Sequence, residues 1–188
     1  VSRVHPLDYD IDEVRDNWIN RLISTSQGRY PVELDPIRRH CHMVGDRNPA
    51  FLDPAIAKRG PYGAVIVPPS MLLTYFASNG PWPPEQGDVE MTEGGVTFGV
   101  PVPGDRGMNM EVQWDFLEPV RVGDTLRLEL RIADVIVKPI KYDPYAVWIT
   151  TETSFFNQDD AVVARWRNTL LIHRSPAQIA EDDERKAS

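Results

Sequence analysis

The residues with the clearest chemical potential lie in the stretch VGDRNPAFLD, at Gly45, Asp46, Asn48, Pro49 and Phe51. An aspartate beside a glycine, followed by an Asn-Pro turn, holds a carboxylate on a loop where it can take or give a proton. A proton relay needs a second group, yet five residues beyond Asp46 stands Phe51, which has nothing to ionise. The segment reads in three ways: a catalytic site, a site lacking half of its chemistry, or a turn in which Asp46 accepts backbone N–H bonds near Asn48 and Pro49. In the last two readings Phe51 is an apolar plug or a cleft-lining residue.

Few other groups compete. His40 and His42 precede Asp46 by six and four residues on an expected helix. A histidine titrates near neutrality and would serve as a displaced relay partner, but one of the two is expected to face the core. His173, near the end of a strand, and His5 have weaker claims. The triplet His40-Cys41-His42 makes a poor metal site, because successive helical side chains point apart and no further ligand follows at suitable spacing, so no metal is expected. Cys41 reads as a small buried apolar residue. Lys138 and Lys141, flanking Pro139, would suit anionic phosphates at a cleft mouth or serve as solvated loop charges.

Elements must position these groups. Ile11, Val14, Trp18, Leu22 and Ile23 have helical spacing and predict an amphipathic helix over 11–25. A short helix from about 35 to 43 follows, with Asp35 as N-cap and Pro36 in its first turn. Asp53 caps one or two further helical turns that close at Gly60. Residues 70–78 are apolar nearly all round the helical wheel, which predicts an interior helix over about 68–79, capped by Ser70 and stopped by Asn79-Gly80-Pro81. After a proline-rich loop the period changes to two. Met108, Met110, Val112, Trp114 and Phe116 alternate with polar residues, as do Leu126, Leu128, Leu130 and Ile132. Residues 145–157 and 161–173 are β-rich and are joined by a turn at 157–160. Helices first and long strands afterwards predict an α+β fold with an antiparallel sheet around a buried helix.

Composition sets the outer bounds. The chain has 188 residues, enough for one full domain: a helical leader over 1–30, a main domain over 31–175 and a polar tail or linker over 176–188, which a further domain could follow. A net charge of −8, with no Lys/Arg run longer than Arg38-Arg39, argues against nucleic acid and membrane surfaces as partners. One cysteine, no apolar signal-peptide core and no span of bilayer length point to the cytoplasm.

The stretch HCHMVGDRNPAFLDPAIAKRGPYGAVIVPPSML resembles the signature region of MaoC-like acyl dehydratases, the hydratase 2 enzymes. FLEPVRVGDTLRLELRIADV is similar to their second block, and the resemblance runs from about Pro31 to Ile172. It implies the hot-dog fold, pairing of two such domains with the active site between them, and reversible hydration of a trans-2-enoyl thioester of coenzyme A or acyl carrier protein. The thioester is then the substrate, and no cofactor is implied. Water is a poor nucleophile, so a base must take its proton during attack on C3, a proton must reach C2, and the thioester oxygen needs donors as enolate charge builds. The family meets these needs with a Gly-Asp-x-Asn-Pro-x-His segment and a backbone N–H at the start of the central helix. Gly45, Asp46, Asn48 and Pro49 match, but the histidine position is Phe51 and the helix-start position is Pro69, which has no N–H.

The resemblance therefore implies a degenerate site. Asp46 is the one retained catalytic position, and Asn48, Phe51, Val67, Pro69, Ser70 and Lys138 are the residues expected against the substrate. The chain is similar to non-catalytic subunits of two-chain enoyl-CoA hydratases that act on steroid side chains, whose partner subunit carries the Asp/His pair. A self-sufficient homodimer using Asp46 and a non-enzymatic acyl-CoA-binding module are the alternatives.

Overall fold

In the computed structural model, which describes residues 10–70, 72–78 and 97–187, the chain starts with helix α1 (Ile11–Trp18). Asp10 caps it by accepting from the N–H groups of Asp12 and Glu13, which have no intrahelical partner. Spacing alone extends this helix to residue 25. It closes instead at Ile19, and Asn20 turns the chain at φ 65° into strand β1 (Leu22–Gln27). Pairing with residues 127–131 of the sheet outweighs the helical period here. The helical leader drawn over 1–30 thus contains a strand of the main sheet.

Helix α2 (Leu34–Val44) buries Ile37 and Cys41. Its N-cap is Glu33, which makes no side-chain bond, and Asp35 sits in the first turn rather than at the cap. Gly45 ends it at φ 74°, a left-handed conformation that suits glycine. Two short helices follow, α3 (Pro49–Leu52) and α4 (Pro54–Arg59), capped by Asn48 and Asp53 and each with proline in its first turn. Helix α5 (Leu72–Ser78) buries Leu73, Phe76 and Ala77, and Ser70 Oγ accepts from the Leu72 N–H at 3.3 Å. Tyr75 is 51% exposed, so the helix is not enclosed on all sides as its composition suggests. The expected helix stop at residues 79–81 and the proline-rich loop lie outside the described residues.

The remaining strands are β2 (Arg106–Phe116), β3 (Arg127–Val137), β4 (Val147–Phe156) and β5 (Val162–His173). They form one antiparallel sheet with β1, in the order β1-β3-β4-β5-β2. Strict alternation along β4 buries Val147, Ile149, Thr151, Thr153 and Phe155 on one face. Two apolar clusters cover that face. Leu73, Phe76 and Ala77 of α5 pack with Phe155 and Ala164 at one end. Val14 of α1 packs with Val147, Ile149, Leu170 and Ile172 at the other.

Strand β2 breaks its expected alternation. Met108 pairs with Leu171, whereas Val112 and Trp114 pair with Asn168 and Trp166, with a register shift between Asn109 and Glu111. The bulge leaves Met110 unpaired and puts Met108 on the opposite face from Val112, Trp114 and Phe116.

The expected loose tail is helix α6 (Pro176–Ala187). It is fastened by Arg174, which is 2% exposed and reaches Asp182 of α6 at 2.8 Å and Asp143 of the β3–β4 loop at 2.7 Å. No helix among the described residues is long and apolar enough to cross a membrane.

Candidate functional site

The Asp46 loop is a pair of side-chain turns. Asp46 Oδ1 accepts from the Asn48 N–H at 2.8 Å, and Asn48 Oδ1 accepts from the Ala50 N–H at 3.0 Å. The Asp46 N–H in turn bonds to the Cys41 carbonyl at 2.9 Å. Both side chains thus shape the passage from α2 to α3, the turn chemistry of Asx residues before proline. Asp46 is half-buried and also faces an open groove of about 860 Å³ with Arg38, Arg39, His42 and Arg47. Phe51 is half-buried and packs against the α5 cluster. It fills apolar space and offers no proton.

Of the neighbouring candidates, His42 shares the groove with Asp46. His42 is exposed on the groove, His40 is half-buried, and Cys41 between them is sealed in the core. Burial pushes the Cys41 thiol up from its ordinary pKa and the Asp46 charge adds to this, which disfavours the thiolate. His173 is the last residue of β5, with Nδ1 3.0 Å from the Arg174 carbonyl oxygen.

Val67 and Pro69 line a second cavity, of about 250 Å³, with Tyr62, Leu73 and Phe116 at the start of α5. The Val67 N–H is spent on the Val120 carbonyl at 2.8 Å, and Pro69 has none. Ser70, next in the chain, uses its hydroxyl to cap α5. The polar side chains lining this cavity are those of Tyr62 and Glu118. Phe116, which lines this cavity, also belongs to an aromatic stack. Trp114 stacks on Phe116 at 5.4 Å, on Trp166 at 5.5 Å and on Phe155 at 5.6 Å. Flat stacked rings of this kind present a broad apolar surface.

Lys138 is not brought to either cavity. It follows β3 at the end of the sheet covered by α1, with Nζ 5.0 Å from the Trp148 ring, while α5 covers the other end. Ten residues of strand between Leu128 and Lys138 amount to roughly 33 Å. Sequence reasoning gave no role to Trp166 or Asn168. Trp166 Nε1 and Asn168 Oδ1 are buried without a hydrogen-bond partner, and the one signal in the sequence is an amide in the alternate row Ala164, Trp166, Asn168, Leu170 and Ile172.

A five-stranded antiparallel sheet over a central helix defines a hot-dog domain, and comparison with known proteins narrows it further. The family model described as FAS1-like, dehydratase domain region matches residues 21–166. The chain belongs to the MaoC-like hydratase and dehydratase family. It is 26% identical over 180 residues to a probable enoyl-CoA hydratase alpha subunit of Thermomonospora curvata, across 89% of this chain and 53% of that protein. The chain therefore spans about half the length of that curated relative. Its fold matches the ChsH1–ChsH2 complex of Mycobacterium tuberculosis with a TM-score of 0.62 at 16% identity, over 89% of this chain and 95% of the other. It also matches the HadBC (3R-hydroxyacyl-ACP dehydratase) complex of the same organism with a TM-score of 0.55 at 19% identity, over 81% and 96%.

Proposed function

We propose that this chain is a subunit of an enoyl-CoA hydratase, the reverse reaction being dehydration of a 3-hydroxyacyl-CoA. Its own site is degenerate, and it completes the acyl-binding cleft of a second hot-dog subunit that carries the Asp/His pair. The observation that carries this reading is strand β2. Among the described residues it is an edge of the sheet, eleven residues long, with Met108, Met110, Val112 and Phe116 all more than 40% exposed. A long apolar edge with unpaired backbone groups is a liability in an isolated chain and is stable when a partner covers it.

The site chemistry supports the same division of labour. Hydration needs a base, an acid and an oxyanion donor. Here Asp46 has one oxygen engaged in its turn, Phe51 replaces a proton-transfer group, and Pro69 cannot donate. The aromatic wall of Phe116, Trp114 and Trp166 suits a bulky acyl group such as a steroid side chain, with the carrier a coenzyme A thioester. Acid–base hydration as proposed calls on no metal or other cofactor. A single cysteine suits a reducing compartment, which supports the cytoplasm as the site of the complex.

Purification from the host, followed by assays with trans-2-enoyl-CoA substrates, tests the reading. A co-purifying hot-dog chain with an intact Gly-Asp-x-Asn-Pro-x-His segment, and hydration only when both chains are present, is the expected result. Robust turnover by this chain alone would make it a self-sufficient hydratase. Thioester binding without turnover in any combination would make it a binding module.

A further inference from the structure

Along the sheet, arginines are spent on carboxylates: Arg127 and Arg131 on Glu129, Arg167 on Glu152, and Arg174 on Asp143 and Asp182. The groove beside the Asp46 loop is different. Arg38 and Arg47 both line it, are exposed, and have no hydrogen bond or ion pair among the described residues. Arg39, on the same groove, is held by Asp35 at 2.6 Å. Two free guanidinium groups on one concave surface stand out in a chain whose net charge is −8.

Local geometry puts them there. Asp35, Arg38, Arg39 and His42 recur at three- and four-residue spacing, so they share the face of α2 opposite the buried Ile37 and Cys41. Gly45 then turns the chain at φ 74°, and the Asp46 N–H bonds to the Cys41 carbonyl, which brings Arg47 back to the same groove. The seven residues from Arg38 to Gly45 rise roughly 10 Å, so the two free charges are rooted well apart. Met43, 77% exposed, and Leu52 give the groove an apolar wall. Asp46 opposes an anion, but its Oδ1 is already committed to the Asn48 N–H.

Guanidinium groups recognise phosphate through paired N–H donors and also stack on flat rings. A groove of about 860 Å³ exceeds what one phosphate fills and falls within the size of small-molecule sites, about 300–1,000 Å³. Resting on the reading of this chain as an acyl-thioester subunit, we propose that the groove binds the nucleotide end of a coenzyme A thioester. That end carries phosphate at two places on one ribose, the 5′-diphosphate and the 3′-phosphate, which matches two separated guanidinium groups. Its flat base lies against the wall of Met43 and Leu52. Lys138, the cation that the sequence offers for this task, stands at the other end of the sheet.

Titration calorimetry of the full chain, alone and with its co-purified partner, tests this with coenzyme A, dephospho-coenzyme A, 4′-phosphopantetheine and pantetheine. Affinity is expected to fall along that series, with coenzyme A about tenfold tighter than 4′-phosphopantetheine. Arg38→Gln and Arg47→Gln each weaken coenzyme A about fivefold and leave pantetheine within about twofold of wild type. Both side chains are exposed, so melting temperatures stay near wild type. Arg38→Lys and Arg47→Lys, which keep the charge, recover part of the affinity. Lys138→Gln leaves it unchanged. Coenzyme A affinity indifferent to both Arg38→Gln and Arg47→Gln overturns the proposal while leaving the subunit reading intact. Equal affinity for coenzyme A and 4′-phosphopantetheine overturns the nucleotide assignment and leaves a single-phosphate site of the kind a carrier-protein arm fills. Failure of coenzyme A and of trans-2-enoyl-CoA thioesters to bind, with or without partner, removes both.

Discussion

Asp46 separates a chemical from an architectural role within one side chain. Its Oδ1 closes the turn onto the Asn48 N–H, and an asparagine in its place still offers an amide oxygen to that donor. Asp46→Asn is therefore expected to keep the melting temperature near wild type and the hydration rate of the assembled complex within about twofold. Asp46→Ala strips the acceptor and costs about 1 kcal/mol of stability. Thermal denaturation and steady-state rates measured on both variants separate the roles. A drop of about a hundredfold or more in Asp46→Asn, at unchanged stability, would return Asp46 to the proton-transfer chemistry. Phe51 was visible in the sequence as the wrong residue for a relay, and the structure adds that its ring is used as packing against the α5 cluster.

At the scale of elements, α6 is held by charge rather than by an apolar face. Arg174 bonds Asp143 through Nε and Nη2 and Asp182 through Nη1, with Asp143 fully buried. Burial alone raises the Asp143 pKa, but the Arg174 side chain and the N–H groups of Arg174 and Tyr145 outweigh it and hold the carboxyl below its ordinary range. A group whose pKa is lowered on folding contributes stability above its unfolded value, about 3.9, and loses it as pH falls through the folded value. The protein is thus expected to lose stability in acid as Asp143 takes up a proton, and α6 to gain hydrogen-exchange rate there first. Asp143→Asn leaves the Arg174 charge short of a partner at neutral pH and is expected to cost about 3–5 kcal/mol. It also flattens the acid limb of the stability profile measured by urea unfolding between neutral pH and strongly acidic buffer. An acid limb of unchanged depth in Asp143→Asn would assign the acid sensitivity to other carboxylates. Asp105, whose carboxylate accepts from the Ser175 N–H at 2.7 Å, is the next candidate.

For the whole molecule, the open edge at β2 predicts assembly. Met110, the unpaired bulge residue, is 45% exposed on that edge. Met110→Glu sets a carboxylate where an apolar interface core is expected, and it is expected to weaken association with a second hot-dog chain at least tenfold. Sedimentation velocity with the co-purified partner reads this directly, while circular dichroism of the isolated chain stays unchanged because the side chain faces outward. Undiminished association would move the interface away from β2.

The sequence by itself determined the fold class, the approximate spans of the long strands, and the presence of Phe51 and Pro69 where an ionisable side chain and a backbone N–H are expected. Those properties follow from local rules: a period of two over 126–132, β-rich composition over 145–157 and 161–173, an apolar wheel over 70–78, and residues such as Phe51, whose side chain cannot ionise, and Pro69, which has no N–H. Tertiary structure decided what depends on distant partners. Leu22 and Ile23 keep helical spacing yet join the sheet because β3 offers its edge. The bulge at Met110 reverses the face of Met108, a one-residue shift that no alternating pattern reveals. A polar-looking tail becomes a helix because Arg174 lies buried between Asp143 and Asp182, thirty-one residues before it and eight after it. Asp46 reads the same in sequence as acid or as turn, and only the position of the Asn48 N–H assigns its oxygen to the turn.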